Sequence, residues 1–149
     1  ITKHLGKTTI GPDKVNQLRH TRFLKDAEGL LAHMDGHAKL LGPRFDAVLA
    51  ALDKEIAGTG MGTWTKPEGG YFVSFDTLPG LANEVVALSA AAGVKLTPAG
   101  ATWPYGKDPE NRNIRLAPSF PTVADIEAAM GVFVCCVKLA TVRSWLAEG

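Results

Sequence analysis

The sequence has little of what would mark several whole classes of protein. Its two cysteines, Cys135 and Cys136, are adjacent and cannot close an ordinary disulfide loop, which favours a reducing, cytoplasmic setting. Its longest uncharged apolar run, residues 128–137, has ten residues, whereas a membrane-spanning helix needs about 18. The 16 basic residues are balanced by 15 acidic ones and form no run, so neither a nucleic-acid nor a membrane partner is expected.

What is present is a globular composition on a chain of one-domain size. The 149 residues are 46% hydrophobic and 21% charged, so the chain can bury a core without disulfides or a structural metal. It begins at Ile1 rather than Met, and no apolar signal segment follows. We therefore expect it to be part of a longer protein.

Hydrophobic periodicity predicts long helices and short strands. The predicted helices are 13–31, 41–56, 81–92 and 122–140, and the predicted strands are 63–65, 71–75, 94–97 and 113–117. Gly42 and Pro43 are expected to kink or break the first turn of the second helix. This order predicts an α/β fold, a two-layer sandwich in which helices cover a small mixed sheet, preceded by a long N-terminal connecting helix.

Three short motifs are better explained by structure than by chemistry. The glycines of 58–62 follow a helix and precede a strand, the reverse of a dinucleotide-binding loop, so they are predicted to be a connection. His33 and His37 have the spacing of two zinc ligands, but a third ligand is missing, and no metal site is predicted. Cys135 and Cys136 are predicted to pack in the core as small hydrophobes.

Arg115 is the strongest candidate for a functional residue, because it interrupts an otherwise apolar predicted strand at 113–117. Its planar guanidinium is suited to holding a carboxylate ligand by two parallel hydrogen bonds. A structural salt bridge to one of the chain's own carboxylates explains the same residue equally well. The preceding loop, 98–111, is long and rich in glycine and proline, so it is expected to be functional or mobile.

Two motifs together resemble the C-terminal region of class I/II aminotransferases, the fold-type I enzymes that use pyridoxal phosphate. They are Pro67-Glu68-Gly69-Gly70-Tyr71-Phe72 and, some forty residues later, Asn113-Ile114-Arg115-Leu116. Gly11-Pro12-Asp13-Lys14, Arg19-His20 and Thr97-Pro98-Ala99-Gly100 are similar to a bacterial subgroup of atypical aspartate aminotransferases. Each motif alone is unspecific, but their order and spacing are specific, and the resemblance covers nearly the whole chain.

The resemblance implies a domain organisation and a set of site residues. Residues 1–36 would be a connecting helical segment from a missing large domain, and 37–149 the small C-terminal domain. Arg115 would grip the α-carboxylate of the substrate. Five further residues would border the substrate pocket: Gly70, Tyr71, Pro98, Gly100 and Tyr105.

The resemblance also implies chemistry that this chain does not complete. The cofactor would be pyridoxal 5'-phosphate bound by the large domain, the substrates an aspartate- or glutamate-type amino acid and a 2-oxo acid, and the whole enzyme a homodimer. None of the ten lysines lies in a Ser-x-Ser-Lys-like segment, so the chain alone is expected to be inactive. The alternative is a stand-alone, non-catalytic carboxylate-binding or dimerisation module with the same fold.

Overall fold

The structure, a computed structural model, describes residues 6–7 and 12–148. Gly11 and the first five residues, on which some of the predictions above depend, lie outside the described residues. The chain divides into two compact units, residues 1–40 and 41–149. In the ranges described, none of the helices is both long enough and apolar enough to cross a membrane.

The first unit contains helix α1, Lys14–Leu24, and the beginning of helix α2, Ala27–Glu55. Asp13 caps α1 by accepting a hydrogen bond from the Asn16 N–H at 2.9 Å. Asp26 caps α2 in the same way, accepting from the Gly29 N–H at 2.8 Å. The sequence predicted a single helix over 13–31, whereas these two caps mark the starts of two separate helices.

The described part of the first unit leaves most of its large apolar side chains exposed. No residue of α1 is buried, and the large apolar residues exposed between residues 14 and 34 are Val15, Leu18, Phe23, Leu30, Leu31 and Met34. A surface helix normally packs its apolar side chains against another element. The described residues of this unit do not provide that cover themselves.

Helix α2 is continuous through Pro43, so the break expected in the first turn of the predicted helix 41–56 does not occur. Proline removes one backbone hydrogen bond, whose acceptor is the carbonyl four residues earlier, at Lys39. Lys39 and Pro43 are both exposed, and water can bond this carbonyl. The helical pattern of Val48, Leu52 and Ile56 continues beyond the proline, and all three side chains are buried.

The sheet of the second unit has three strands: β1 Gly62–Trp64, β2 Val73–Thr77 and β3 Asn113–Leu116. Their order is β1-β2-β3, and both pairings are antiparallel. The register sets Trp64 opposite Phe75 and Ser74 opposite Arg115. The predicted α/β fold class is confirmed, but the described sheet is antiparallel throughout rather than mixed.

The difference arises at the predicted strand 94–97, which is irregular in the structure. Gly93, at φ +89°, ends the preceding helix, and the Val94 N–H donates back to the Ser89 carbonyl at 2.8 Å. Pro98 then follows, and a proline cannot donate to a ladder. Within the described residues no ladder pairs this segment with β3.

Helices cover one face of the sheet: α2, α3 Ala82–Ala91 and α4 Val123–Glu148. Phe75 is central to this layer, with its ring edge-on to Phe133 at 5.1 Å and stacked on Trp64 at 6.3 Å. Because Phe75 is fully buried, replacing it by alanine should cost about 3–5 kcal/mol of folding free energy.

The other face of the sheet is the one that carries the candidate site. Along β2, Val73, Phe75 and Thr77 point into the core, so the residues between them point away from it. Along β3, the same alternation buries Ile114 and Leu116. Arg115 therefore stands on the open face, together with polar side chains of β2.

Candidate functional site

Arg115 lies on the open face with its guanidinium over an aromatic ring. Its Cζ atom is 4.3 Å from the centre of the Phe72 ring, a cation–π distance. The register explains the contact, because residues on diagonal positions of neighbouring strands share a face. The stack fixes the plane of the guanidinium while its N–H groups remain at the edges.

The guanidinium of Arg115 has no carboxylate partner among the described residues. Its Nε atom is buried and without a hydrogen-bond partner in that same part of the chain. A buried donor left unbonded costs about 1–3 kcal/mol. The salt bridge considered above is thus not formed in the described structure, and the arginine retains its capacity to bind an anion.

Asn113, two residues before Arg115 on the same face, ties the sheet to the preceding loop. Its Nδ2 donates to Ser74 Oγ at 2.8 Å and to Asp76 Oδ1 at 2.7 Å. Its Oδ1 accepts from Thr102 Oγ1 at 2.6 Å. Asn113 was not among the predicted site residues, although an Asn-x-Arg pattern on one strand already places both side chains on one face.

Asp108 fastens the end of the loop to the start of β3. Its Oδ2 accepts from the N–H groups of Arg112 and Asn113, each at 2.8 Å, and its Oδ1 accepts from the Glu110 N–H at 3.0 Å. Burial raises the pKa of the carboxyl, but these hydrogen bonds and the Arg112 charge outweigh it and hold the pKa below its ordinary value. Asp108 is therefore an ionised carboxylate whose role is to hold the backbone at the end of the loop and the start of β3.

Gly100 is where the two arms of the loop approach most closely. It is buried at φ +78°, and a Cβ placed on it would lie 2.6 Å from the Gly106 carbonyl oxygen. Only glycine combines this backbone conformation with so short a contact. Of the residues expected to border the pocket, Gly100 therefore has a clear structural reason for its identity.

The other residues expected to border the pocket occupy two separate loops. Gly70 and Tyr71 lie in the connection between β1 and β2, and both are exposed. Pro98 opens the loop before β3, and Tyr105 stands near its tip with 97% of its surface exposed. Their roles in bordering a substrate pocket remain predictions.

A cleft of about 470 Å³ opens beside β3, between that strand, the segment 93–97 and α4. Its wall includes Lys95, Thr97, Arg115, Pro118, Asp125 and Met130. Among the predicted site residues only Arg115 lines this cleft. The nearby turn is held by Arg44, whose Nη1 donates to the Ser119 carbonyl at 2.5 Å.

The histidine pair converges as its spacing predicts. The Nε2 atoms of His33 and His37 are 3.1 Å apart, and the edge of one ring meets the face of the other. Within the described ranges no group of three potential ligand residues occurs.

The cysteine prediction is correct for one residue and wrong for the other. Cys136 is buried, but Cys135 is exposed, because adjacent helical residues differ in direction by about 100°. The glycines at 58 and 60 lie in the connection from α2 to β1, as predicted, and both adopt positive φ.

Comparisons with known proteins agree with this geometry. The family model described as aspartate amino-transferase matches residues 1–148. The chain is 49% identical over 144 residues to an aspartate aminotransferase of Corynebacterium glutamicum, covering 97% of this chain and 34% of that protein. The crystal structure of an aspartate transaminase from the same species superposes with a TM-score of 0.90 at 49% identity, over 97% of this chain and 34% of that one.

A more distant structure shares the fold. It is an α-aminoadipate aminotransferase from Thermus thermophilus in complex with N-(5'-phosphopyridoxyl)-L-leucine, matched with a TM-score of 0.69 at 22% identity over 86% of this chain and 32% of that one. The fold is therefore that of an aminotransferase small domain. The chain belongs to the aspartate amino-transferase family, which confirms the predicted resemblance. It spans about a third of the length of the curated relatives that it matches.

Family membership implies pyridoxal phosphate, and the described residues do not fit a site for it. An imine-forming lysine has to be positioned and partly desolvated. Every lysine at a described position is exposed except Lys138, which is half-buried and bonded to Glu55 at 2.6 Å. That contact holds the pKa of Glu55 below its ordinary value, so Lys138 has a structural partner.

Proposed function

We propose that the chain is the small C-terminal domain of a pyridoxal-phosphate-dependent aminotransferase that acts on an amino acid of aspartate or glutamate type and a 2-oxo acid. Its task is to hold the substrate α-carboxylate through Arg115 and to close the site. The observation that carries the proposal is the Arg115 guanidinium, oriented on Phe72 and lacking a carboxylate partner among the described residues.

Arg115 can bind a carboxylate with both oxygens at once. The planar fork matches the two oxygens of a carboxylate by two parallel N–H···O bonds. Phe72 excludes water from one face of the guanidinium and restricts its rotation, so less entropy is lost when the anion binds. The network of Asn113, Ser74 and Asp76 holds the strand beside it in place.

The remaining parts of the enzyme belong to a large domain in this proposal. That domain would bind the cofactor and supply its lysine, and residues 1–36 would connect it to the small domain formed by 37–149. The exposed apolar side chains of the first unit support this, since a large domain would cover them. We further propose that the whole enzyme is a cytoplasmic homodimer. The 149-residue chain alone would be inactive.

The test compares Arg115 variants in the longer polypeptide with both domains. Arg115→Ala should lower kcat/KM for amino-acid substrates by about 30- to 5000-fold, or about 2–5 kcal/mol, because a desolvated two-pronged contact is lost. Arg115→Lys should rescue poorly, since a point charge replaces the fork.

Arg112→Lys is the matched control for Arg115→Lys. Arg112 is three residues away, and its guanidinium already pairs with the Glu110 carboxylate at 3.1 Å. It should keep near-normal kcat/KM. If Arg115→Ala retains normal kinetics while the variant chain loses thermal stability, then Arg115 is structural and the carboxylate role is wrong. Turnover by the 149-residue chain with added pyridoxal phosphate would show that this chain binds the cofactor productively by itself. That result would contradict the proposal that a large domain supplies the cofactor site and its lysine.

A further inference from the structure

His33 and His37 lie one turn apart on the exposed surface of helix α2. Residues four apart on a helix share a face, so the two imidazole rings project side by side. Their Nε2 atoms are 3.1 Å apart, and the two ring planes are almost perpendicular, at 89°. The pair thus brings two ring nitrogens together at one point on the surface.

The distance between these nitrogens is the one that a shared metal ion requires. Zinc binds an imidazole nitrogen at about 2.0–2.1 Å, so two nitrogens 3.1 Å apart would subtend about 95–102° at the ion. This angle lies between the value of about 90° in square-planar or octahedral sites and that of about 109° in tetrahedral ones. An ion would therefore fit between the rings with little movement of either.

Phe23 of helix α1 holds one of the two rings in position. Its ring meets the ring of His33 edge to face, and the two centroids are 5.1 Å apart. A side chain that is already restricted loses less rotational entropy when it binds a ligand. The contact therefore favours metal binding over a pair of freely rotating rings.

No other group competes for the two nitrogens among the described residues. The contact between the rings is a hydrogen bond in which one Nε2 donates its proton to the other. An ion would take the place of that proton, and the donor ring would carry its proton on Nδ1 instead. Asp35 and Lys39 pair with each other at 2.6 Å on the opposite side of the helix, so neither charge faces the site.

We propose that His33 and His37 form a two-imidazole site for a divalent transition-metal ion such as Zn²⁺ or Ni²⁺, with water in the remaining coordination positions. Imidazole suits these ions, whereas Mg²⁺ and Ca²⁺ prefer oxygen ligands. The lack of a third ligand in the described residues argues against a closed structural site, which takes four protein ligands, but not against an exchangeable one. This inference does not depend on the carboxylate role of Arg115.

Calorimetric titration of the 149-residue chain with Zn²⁺ tests the stoichiometry and the ligands. The parent for all variants is Cys135→Ser, because the exposed thiol of Cys135 can bind zinc by itself. One Zn²⁺ should bind per chain, and Mg²⁺ should not compete. His33→Ala and His37→Ala should each weaken the affinity about 100-fold, because the second nitrogen no longer adds its effective concentration.

His20→Ala is the matched control, because His20 stands alone on α1 with its Nδ1 bonded to the Asn16 carbonyl at 2.8 Å. It should bind zinc like the parent. A second variant moves one ring instead of removing it. His37→Ala combined with Ala38→His keeps the number of histidines but turns the second ring away by about 100°, so it should bind as weakly as His37→Ala.

Nuclear magnetic resonance of the ring nitrogens tests the geometry directly. On addition of Zn²⁺ to the parent chain, the Nε2 resonances of His33 and His37 should shift together, and circular dichroism should show that each variant keeps its helix content. Coordination through Nδ1, or unchanged zinc affinity in His33→Ala, His37→Ala or the shifted variant, would overturn the proposal. So would a parent chain that binds no Zn²⁺ at about 1 mM, or a loss in His20→Ala as large as that in His33→Ala.

Discussion

Replacing Gly100 by alanine tests how the loop before β3 is built. The added methyl group would lie 2.6 Å from the Gly106 carbonyl oxygen and 3.2 Å from the Asp108 N–H nitrogen. An ordinary contact needs about 3.4 Å or more, so one arm of the loop has to move by roughly 0.8 Å. The positive φ adds about 1–2 kcal/mol for any residue with a Cβ.

Together these effects should lower the free energy of unfolding by about 2–5 kcal/mol, since forced overpacking alone costs about 1–3 kcal/mol. Gly106→Ala is the matched control. Gly106 has φ +68° in the same loop, but a Cβ there meets nothing within 4 Å. It should show the conformational cost alone.

Urea unfolding of the 149-residue chain, followed by tryptophan fluorescence, measures both variants. Gly100→Ala should be less stable than Gly106→Ala by about 1–3 kcal/mol. Equal losses in the two variants would mean that the close approach does not constrain the folded chain, and the explanation of Gly100 would fail.

Three further outcomes follow from single contacts. Phe72→Leu should raise KM for amino-acid substrates of the longer polypeptide about 2- to 30-fold, because it removes about 0.5–2 kcal/mol of cation–π interaction with Arg115, whereas Phe72→Tyr should keep KM unchanged. Equal effects of the two substitutions would show that the ring does not orient the guanidinium. The lowered pKa of Asp108 means that its stabilising effect is present above its ordinary pKa of 3.8 and is lost as the pH falls through the lowered value. Asp108→Asn should therefore lose less stability than the wild type in urea titrations between neutral and strongly acidic pH, and an identical loss would contradict this. Phe75→Ala should lower the free energy of unfolding by about 3–5 kcal/mol at neutral pH, and a loss below 1 kcal/mol, measured by the same titration, would argue against the packed aromatic contacts around it.

Much of the fold was predictable because its signals are local. The predicted helix 122–140 begins where a local capping signal lies: Thr122 Oγ1 accepts from the Asp125 N–H at 3.2 Å, and the Asp125 carboxylate accepts from the Thr122 N–H at 3.3 Å. The buried stripe of α2 follows directly from its helical spacing. Such patterns need no knowledge of distant residues.

The parts that were missed depend on distant partners. Residues 94–97 are apolar enough for a strand, but a strand also needs a ladder, and the turn after Gly93 together with Pro98 leads the chain elsewhere. The placement of Phe72 beneath Arg115 depends on the register between β2 and β3, which the sequence alone does not specify. The cap made by Asp108 does have a local signal, because aspartate before proline favours a turn.

The two anchors of the loop before β3 also determine what its tip can do. Thr102 is fixed to Asn113, and Asp108 is fixed to the start of the strand, so only residues 103–107 lie between fastened ends. A segment this short has little conformational freedom left to lose when it meets another surface. Trp103 and Tyr105 are both exposed on this short, already ordered turn. Contact with another surface would bury their apolar area at little further cost in conformational entropy.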